Sequence, residues 1–195
     1  MKKLKINRNI FLVFLLLFSS IYTLKAQESK VVLAESKLTV LGTSNVHDWE
    51  IEAKAMSGKS VVKIESGDLK AIKSLDFAVE AEQLISGRKG MDANTFKALK
   101  SKTYKTINFK LINVTKITKT SENNYTVDTK GDLTVSGVTK RINQTFEVKV
   151  SGRRTIFSGK TKIDMTHYNI KPPKALMGTI KTGAIVTVDF KVTYN

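Results

Sequence analysis

The only imidazoles in this 195-residue chain are His47, followed directly by Asp48, and His167. A carboxylate beside a histidine could orient a general base, and two histidines could share a metal ion. Neither use fits the pattern. Adjacent residues on an extended chain point to opposite faces, which keeps the side chains of His47 and Asp48 apart. A zinc site needs a third protein ligand at matching distance, and no spacing supplies one. The chain has no Cys, which removes disulfides, thiolate metal sites, iron–sulfur clusters and cysteine nucleophiles. It also lacks a Gly-rich phosphate loop, a nucleophile elbow and a paired-carboxylate motif. The expectation is a protein that is not an enzyme, with no catalytic residue, no metal and no cofactor. His47 and Asp48 then structure a loop or touch a polar part of a ligand. A weak hydrolase or isomerase using His47 or His167 is the enzymatic alternative.

The elements that would position a ligand are strands. Apolar residues recur with period 2 almost throughout residues 27–195, the pattern of half-buried antiparallel strands. Val186, Val188, Phe190, Val192 and Tyr194 form one such row, and Ile142, Gln144, Phe146, Val148 and Val150 another. Leu75, Phe77, Val79 and Ala81 follow suit, as do Trp49, Ile51, Ala53 and Ala55. The phase breaks near Asn113, which predicts a bulge or bend. Ser-Gly pairs at 57–58, 66–67, 136–137, 151–152 and 158–159 are turn signals, although Gly159 also fits inside a strand. Asp92 can cap a helix over 92–100, with Met91 and Phe96 placed as a hydrophobic staple and Phe96 and Leu99 on one face. A weaker helical turn follows Pro172-Pro173, over 174–177.

Eight or nine single-faced strands with so little helix must close on themselves or stack. The expected fold is all-β: an antiparallel barrel of eight, or nine, strands with the short helix capping one end. Such a barrel either fills with side chains or holds one small ligand. Thr129 and Gly131 stand as small inward positions in the row of Tyr125, Val127, Leu133 and Val135, and Gly159 and Thr161 in the row of Phe157, Ile163 and Met165. They mark an open lumen, unless large residues across the barrel, such as Phe109 and Phe190, fill it. Trp49 either plugs one end or serves as a ligand platform. Met91, Phe96 and Leu99 cap the core or line the mouth of a ligand cavity, where a soft Met adapts to varied shapes. The candidate lining is thus Trp49, Phe77, Met91, Phe96, Leu99, Phe109, Thr129, Gly131, Phe146, Gly159, Thr161, Met165 and Phe190.

Residues 1–26 have the composition of a secretory signal: Lys2, Lys3, Lys5 and Arg8 precede the apolar run Ile10–Phe18, and Ala26 offers a cleavage point. An uncleaved anchor is the alternative. The domain then occupies 27–195 and is periplasmic or secreted. Removing five basic residues lowers the 33 Lys and Arg to 28, against 17 Asp and Glu, a net charge of +11. An exported protein meets no cytoplasmic nucleic acid, so nucleic acid is not an expected partner. The dispersed lysines are a solvated face or attract anionic membrane lipids weakly. Hydrophobic residues at 41% and charged residues at 26% are globular values, and the length suits one domain.

Four segments resemble one family. Gly131-Asp132-Leu133-Thr134-Val135-Ser136-Gly137-Val138-Thr139-Lys140 resembles the G-x-L-T-x-x-G-V-T-K hairpin of the YceI-like proteins. Met91 to Lys100 followed by Tyr104-Lys105-Thr106-Ile107-Asn108-Phe109 resembles their helix and Y/F-P-x-I-x-F strand, with Lys105 where proline is usual. Gly42 to Trp49 and Pro172 to Gly178 resemble a subgroup. Gly90-Met91-Asp92 departs from the Arg-Asp pair that opens the helix region in many members. The resemblance implies a lipocalin-like barrel that sequesters or transports a polyisoprenoid, an isoprenoid quinone or a fatty amphiphile. The alternative is a structural or stress-related module acting through its basic surface without a cargo.

Overall fold

The computed structural model describes residues 28–195, so the secretory-signal reading of 1–26 lies outside the described residues. The strands are β1 (Glu28–Lys30), β2 (Lys37–Ser44), β3 (Trp49–Ala53), β4 (Met56–Glu65), β5 (Asp68–Glu80), β6 (Leu84–Ile85), β7 (Thr106–Ser121), β8 (Asn124–Val135), β9 (Val138–Ser151), β10 (Arg154–Asp164), β11 (Lys174–Ala175) and β12 (Ile180–Tyr194), with one α-helix, α1 (Lys89–Leu99). Eleven of the strands form one antiparallel path, β1-β4-β5-β7-β8-β9-β10-β12-β2-β3-β6, and β11 pairs only with β12. The count exceeds the expected eight or nine because β1 and β6 span three and two residues, too short for alternation to reveal them.

The sheet curls into a half-barrel. Residues 30–32 tie β12 to β4: Lys30 exchanges two backbone hydrogen bonds with Asn195 at 2.9 Å, Val32 N donates to Thr193 O, and Val31 N donates to Gly58 O. Two hairpins turn on two-residue loops with both residues left-handed, Ser66-Gly67 (φ 51° and 83°) and Ser136-Gly137 (φ 48° and 78°). That conformation matches the right-handed twist of the flanking strands. Ser57-Gly58 and Ser158-Gly159 are not turns but lie inside β4 and β10. At Gly58 the β5 backbone at Asp76 comes so close that a Cβ would collide with its carbonyl oxygen. The expected break in β7 is present, as a register shift against β8 between Leu111 and Asn113.

Helix α1 starts earlier than the Asp92 cap predicts. Asp92 sits in the first turn, and its carboxylate accepts from Ser86 N at 2.8 Å and from Ser86 Oγ at 2.5 Å, pinning the preceding loop. Met91 and Phe96 therefore both lie within the helix and form no staple across its start. The helix ends at Lys100 (φ 52°), where Ser136 Oγ, from the β8–β9 turn, donates to Leu99 O at 2.9 Å. The helical turn expected over 174–177 is absent: Lys174–Ala175 extend as β11, and Leu176 and Met177 turn the chain in the left-handed region, at φ 47° and 55°.

The inward rows pack as the alternation requires, with Tyr125, Val127, Val148, Phe157 and Tyr194 among the most deeply buried side chains. Phe146 meets Phe109, Phe157 and Phe190 edge-on at centroid distances of 5.7–5.9 Å. The Tyr125 hydroxyl accepts from Leu69 N and donates to Asp68 Oδ1 at 2.9 Å. Lys119 first, and then Tyr125, hold the Asp68 carboxyl down to about 2. A depressed carboxylate stabilises the fold above its unfolded pKa and loses that contribution as pH falls through its folded pKa. Asp68→Asn is therefore expected to lower the thermal midpoint most above about pH 4, with the difference from wild type shrinking as pH falls through about 2 and lost below it. Thermal melts across that window test this; a constant difference at every pH would refute the assignment.

Candidate functional site

The apolar faces of the curled sheet do not meet. They enclose a cavity of about 520 Å³, roofed by α1 and by the 3-10 turn Met165–Tyr168. Its deep wall is buried and almost wholly apolar, including Leu38, Ile51, Leu75, Val79, Leu84, Leu133, Val135, Phe146, Phe157 and Val192. The polar part of that wall is internally satisfied: the Thr161 hydroxyl donates to Gln144 Oε1, while Gln144 Nε2 donates to Thr145 O. Asp164 holds the roof turn by accepting from Thr166 N at 2.9 Å and Thr166 Oγ1 at 2.6 Å, which keeps its carboxyl below the usual range. In the same turn, burial pushes the Tyr168 hydroxyl up, so the phenol stays neutral.

Polarity is concentrated at the mouth. There Ser44 at the end of β2, His47 from the β2–β3 loop, Arg88 and Gly90 from the start of α1, and Pro173, Lys174 and Thr182 from the last segment line the opening. His47, Arg88 and Lys174 are exposed, in contrast to the buried wall below. The His47 ring donates from Nδ1 to Asp48 O at 2.8 Å, and Ser44 N and Oγ both donate to His47 O. His47 thus structures its loop while facing the opening. Among the described residues no three His, Cys, Asp or Glu side chains come together as a metal site would require.

Trp49, Phe77, Met91, Leu99, Phe109, Phe146, Thr161, Met165 and Phe190 all face the cavity. Trp49 lies flat over Gly42, which has no Cβ to obstruct it, and its Nε1 donates to Thr43 O at 3.0 Å. Four expected positions lie elsewhere. Phe96 stands about 140° round the helix from Met91 at about 100° per residue, and the cavity face of α1 is Met91, Asn94, Thr95, Ala98 and Leu99 instead. Thr129 is buried in the sheet, its hydroxyl donating to Gln144 O at 2.7 Å. The space above Gly131 is filled by the Phe109 ring, and a Cβ on Gly159 would meet the Phe190 ring at 3.1 Å. Small residues in these rows seat large neighbours and leave no lumen of their own. Gly131→Phe is accordingly expected to cost about 1–3 kcal/mol by overpacking, readable as a lowered denaturant midpoint. An unchanged midpoint would mean that Phe109 does not fill that space.

Gln144, Arg88, Ala98 and Tyr168 were not expected at the site. A polar Gln144 within an otherwise apolar inward row was the available signal for the first. Nothing local distinguishes Arg88 or Ala98 until the helix start is known.

A family model for the YceI-like domain matches residues 22–194. The chain belongs to the YceI-like domain family. In this YceI-like chain the Gly131–Lys140 motif is the β8–β9 hairpin whose Ser136 holds the end of the roof helix, and Gly137 lacks the Cβ that would collide with Tyr104. The motif therefore sets the roof over the cavity. BcnA of Burkholderia cenocepacia shares the fold at a TM-score of 0.65 and 21% identity, over 84% of this chain and 98% of that one. A protein described as a polyisoprenoid binding domain from Saccharophagus degradans implicated in plant cell wall breakdown aligns at 0.64 and 15% identity, over 88% and 99%. The YCEI protein of Campylobacter jejuni aligns at 0.51 and 15% identity, over 99% and 97%. Among curated proteins no relative matches the chain.

Proposed function

We propose that this protein is an exported carrier that sequesters or transports one long-chain apolar molecule in its half-barrel, without changing it chemically. The observation that carries the proposal is the cavity: an apolar, buried wall with the exposed cations Arg88 and Lys174 among its lining residues. An amphiphile enters such a site tail first and leaves its polar end at the opening. The Saccharophagus relative described as polyisoprenoid-binding supports a lipid or isoprenoid cargo. Under this proposal the protein works in the periplasm or outside the cell, and needs no metal or cofactor.

The cavity of about 520 Å³ is lined for most of its depth by apolar side chains, so its affinity for a cargo should follow the apolar chain that it buries. Each buried methylene stabilises the complex by about 0.8 kcal/mol, close to fourfold in affinity. Calorimetry with a homologous series of fatty amphiphiles is expected to show affinity climbing with chain length and levelling off once the cavity is full. Flat affinity across the series would contradict the proposal.

A further inference from the structure

The three most exposed large hydrophobic side chains among the described residues are Met177, Leu176 and Val46, at 110%, 72% and 61% of full exposure. All three stand at one place. Val46 lies on the β2–β3 loop and Leu176 and Met177 on the segment after β11, and both segments line the cavity mouth. Asn45 fastens the two segments together: its Nδ2 donates to Thr179 O at 3.0 Å, its Oδ1 accepts from Lys181 N at 2.7 Å, and its own N–H donates to Lys181 O. Leu176 and Met177 are also held at φ 47° and 55°, a left-handed conformation that is unfavourable for L-residues with large side chains. Strain that serves to hold two apolar side chains in solvent needs a reason in function.

The charge around this tip is one-sided. Residues 171–182 contain Lys171, Lys174 and Lys181 and no acidic residue. All three lysines are exposed, and Lys174 faces Lys181 in the β11–β12 pairing. Arg88 and Lys89 add positive charge at the start of α1, and Asp48 is the one carboxylate in the facing loop. Apolar side chains pointing outward within a cationic collar suit an interface that is apolar beneath and negatively charged above.

We propose that the mouth docks on the surface of an anionic lipid bilayer, with Val46, Leu176 and Met177 entering the interface and Lys171, Lys174 and Lys181 against the head groups. Docked this way, the cavity opens onto the bilayer, so a lipid could pass between membrane and protein without crossing water; that consequence rests on the carrier reading, while the docking does not.

The test is co-sedimentation of the purified protein with phosphatidylcholine vesicles, with and without phosphatidylglycerol. Wild type should bind the phosphatidylglycerol vesicles. A Leu176→Ser/Met177→Ser variant and a Lys171→Gln/Lys181→Gln variant should bind them about tenfold more weakly or worse. A Lys116→Gln/Lys130→Gln variant, altered on the β7–β8 hairpin away from the mouth, should bind as wild type does. Circular dichroism and lipid content, measured on every protein, should be unchanged. Docking is overturned if wild type ignores the vesicles, if the tip variants bind undiminished, or if the β7–β8 variant loses as much. It is equally overturned if the tip residues prove to join two copies, seen as a dimer that the Leu176→Ser/Met177→Ser variant dissociates without any vesicle binding in wild type. Vesicle binding by a protein that never holds lipid would support docking and count against the carrier reading alone.

Discussion

Ala98→Trp is expected to abolish ligand retention while leaving the fold almost as stable as wild type. Ala98 lies on the cavity face of α1, half-buried, with the Leu133 and Val135 cluster beside it. An indole placed there projects into about 520 Å³ of open apolar space. It displaces cargo by extending past the Leu133 and Val135 cluster into that space, and the helix tolerates tryptophan at a cost of about 0.5 kcal/mol. Retention of a long-chain amphiphile should fall by about tenfold or more, with a thermal midpoint close to that of the wild-type protein stripped of ligand. A packed interior predicts the reverse. The same ring would then cost about 1–3 kcal/mol by overpacking, a drop of about 2–4 °C for each kcal/mol in a domain of this size. A strongly lowered midpoint would show that the cavity is not available space.

Phe146→Ala is expected to act on stability. Phe146 is only 5% exposed and stands at the centre of the aromatic group, against Phe109, Phe157 and Phe190. Truncation removes all three edge contacts and leaves a void, typically at a cost of about 3–5 kcal/mol. That is a large part of the roughly 5–15 kcal/mol that holds a domain folded. Chemical denaturation with an unchanged slope and a strongly lowered midpoint is the expected result. Because the void adjoins the cavity, the variant should also favour a longer chain than wild type does. A loss below about 1 kcal/mol would mean that the ring faces an open channel and contributes little to the core.

The strands were legible because their alternation is strict. Rows such as Ile142 to Val150 have one face buried on a curved sheet, and burial on one face imposes period 2. The phase break at Asn113 was equally visible, since a bulge shifts the alternation by one residue. Short elements were not, because β1 and β6 owe their existence to hydrogen bonds and to partners distant in sequence. The helix start was misplaced for a related reason. Asp92 is a good capping residue, but here its carboxylate serves Ser86, a contact made by the fold of the loop.

The site divides in the same way. Phe109, Phe146 and Phe190 stood out as large inward residues, and they face the cavity. At Gly131 and Gly159 the structure takes the second alternative, with Phe109 and Phe190 filling the space; strand periodicity gives the side a residue faces and not what lies across from it. Gly131 seats the ring of Phe109 from the neighbouring strand, and that pairing is set by register between β7 and β8. Arg88 and Lys174 meet at one opening although they are far apart in sequence, so the mouth emerges only once the chain is folded.

The carrier reading is tested most directly by native mass spectrometry of the purified protein, followed by solvent extraction and identification of whatever it releases. The expected result is a protein carrying one amphiphile per chain, removed by organic solvent and restored by adding the extracted lipid back. The Ala98→Trp variant, purified alongside, should carry none. Wild-type protein that holds no lipid as isolated, and takes up no long-chain amphiphile after delipidation, would contradict the carrier account.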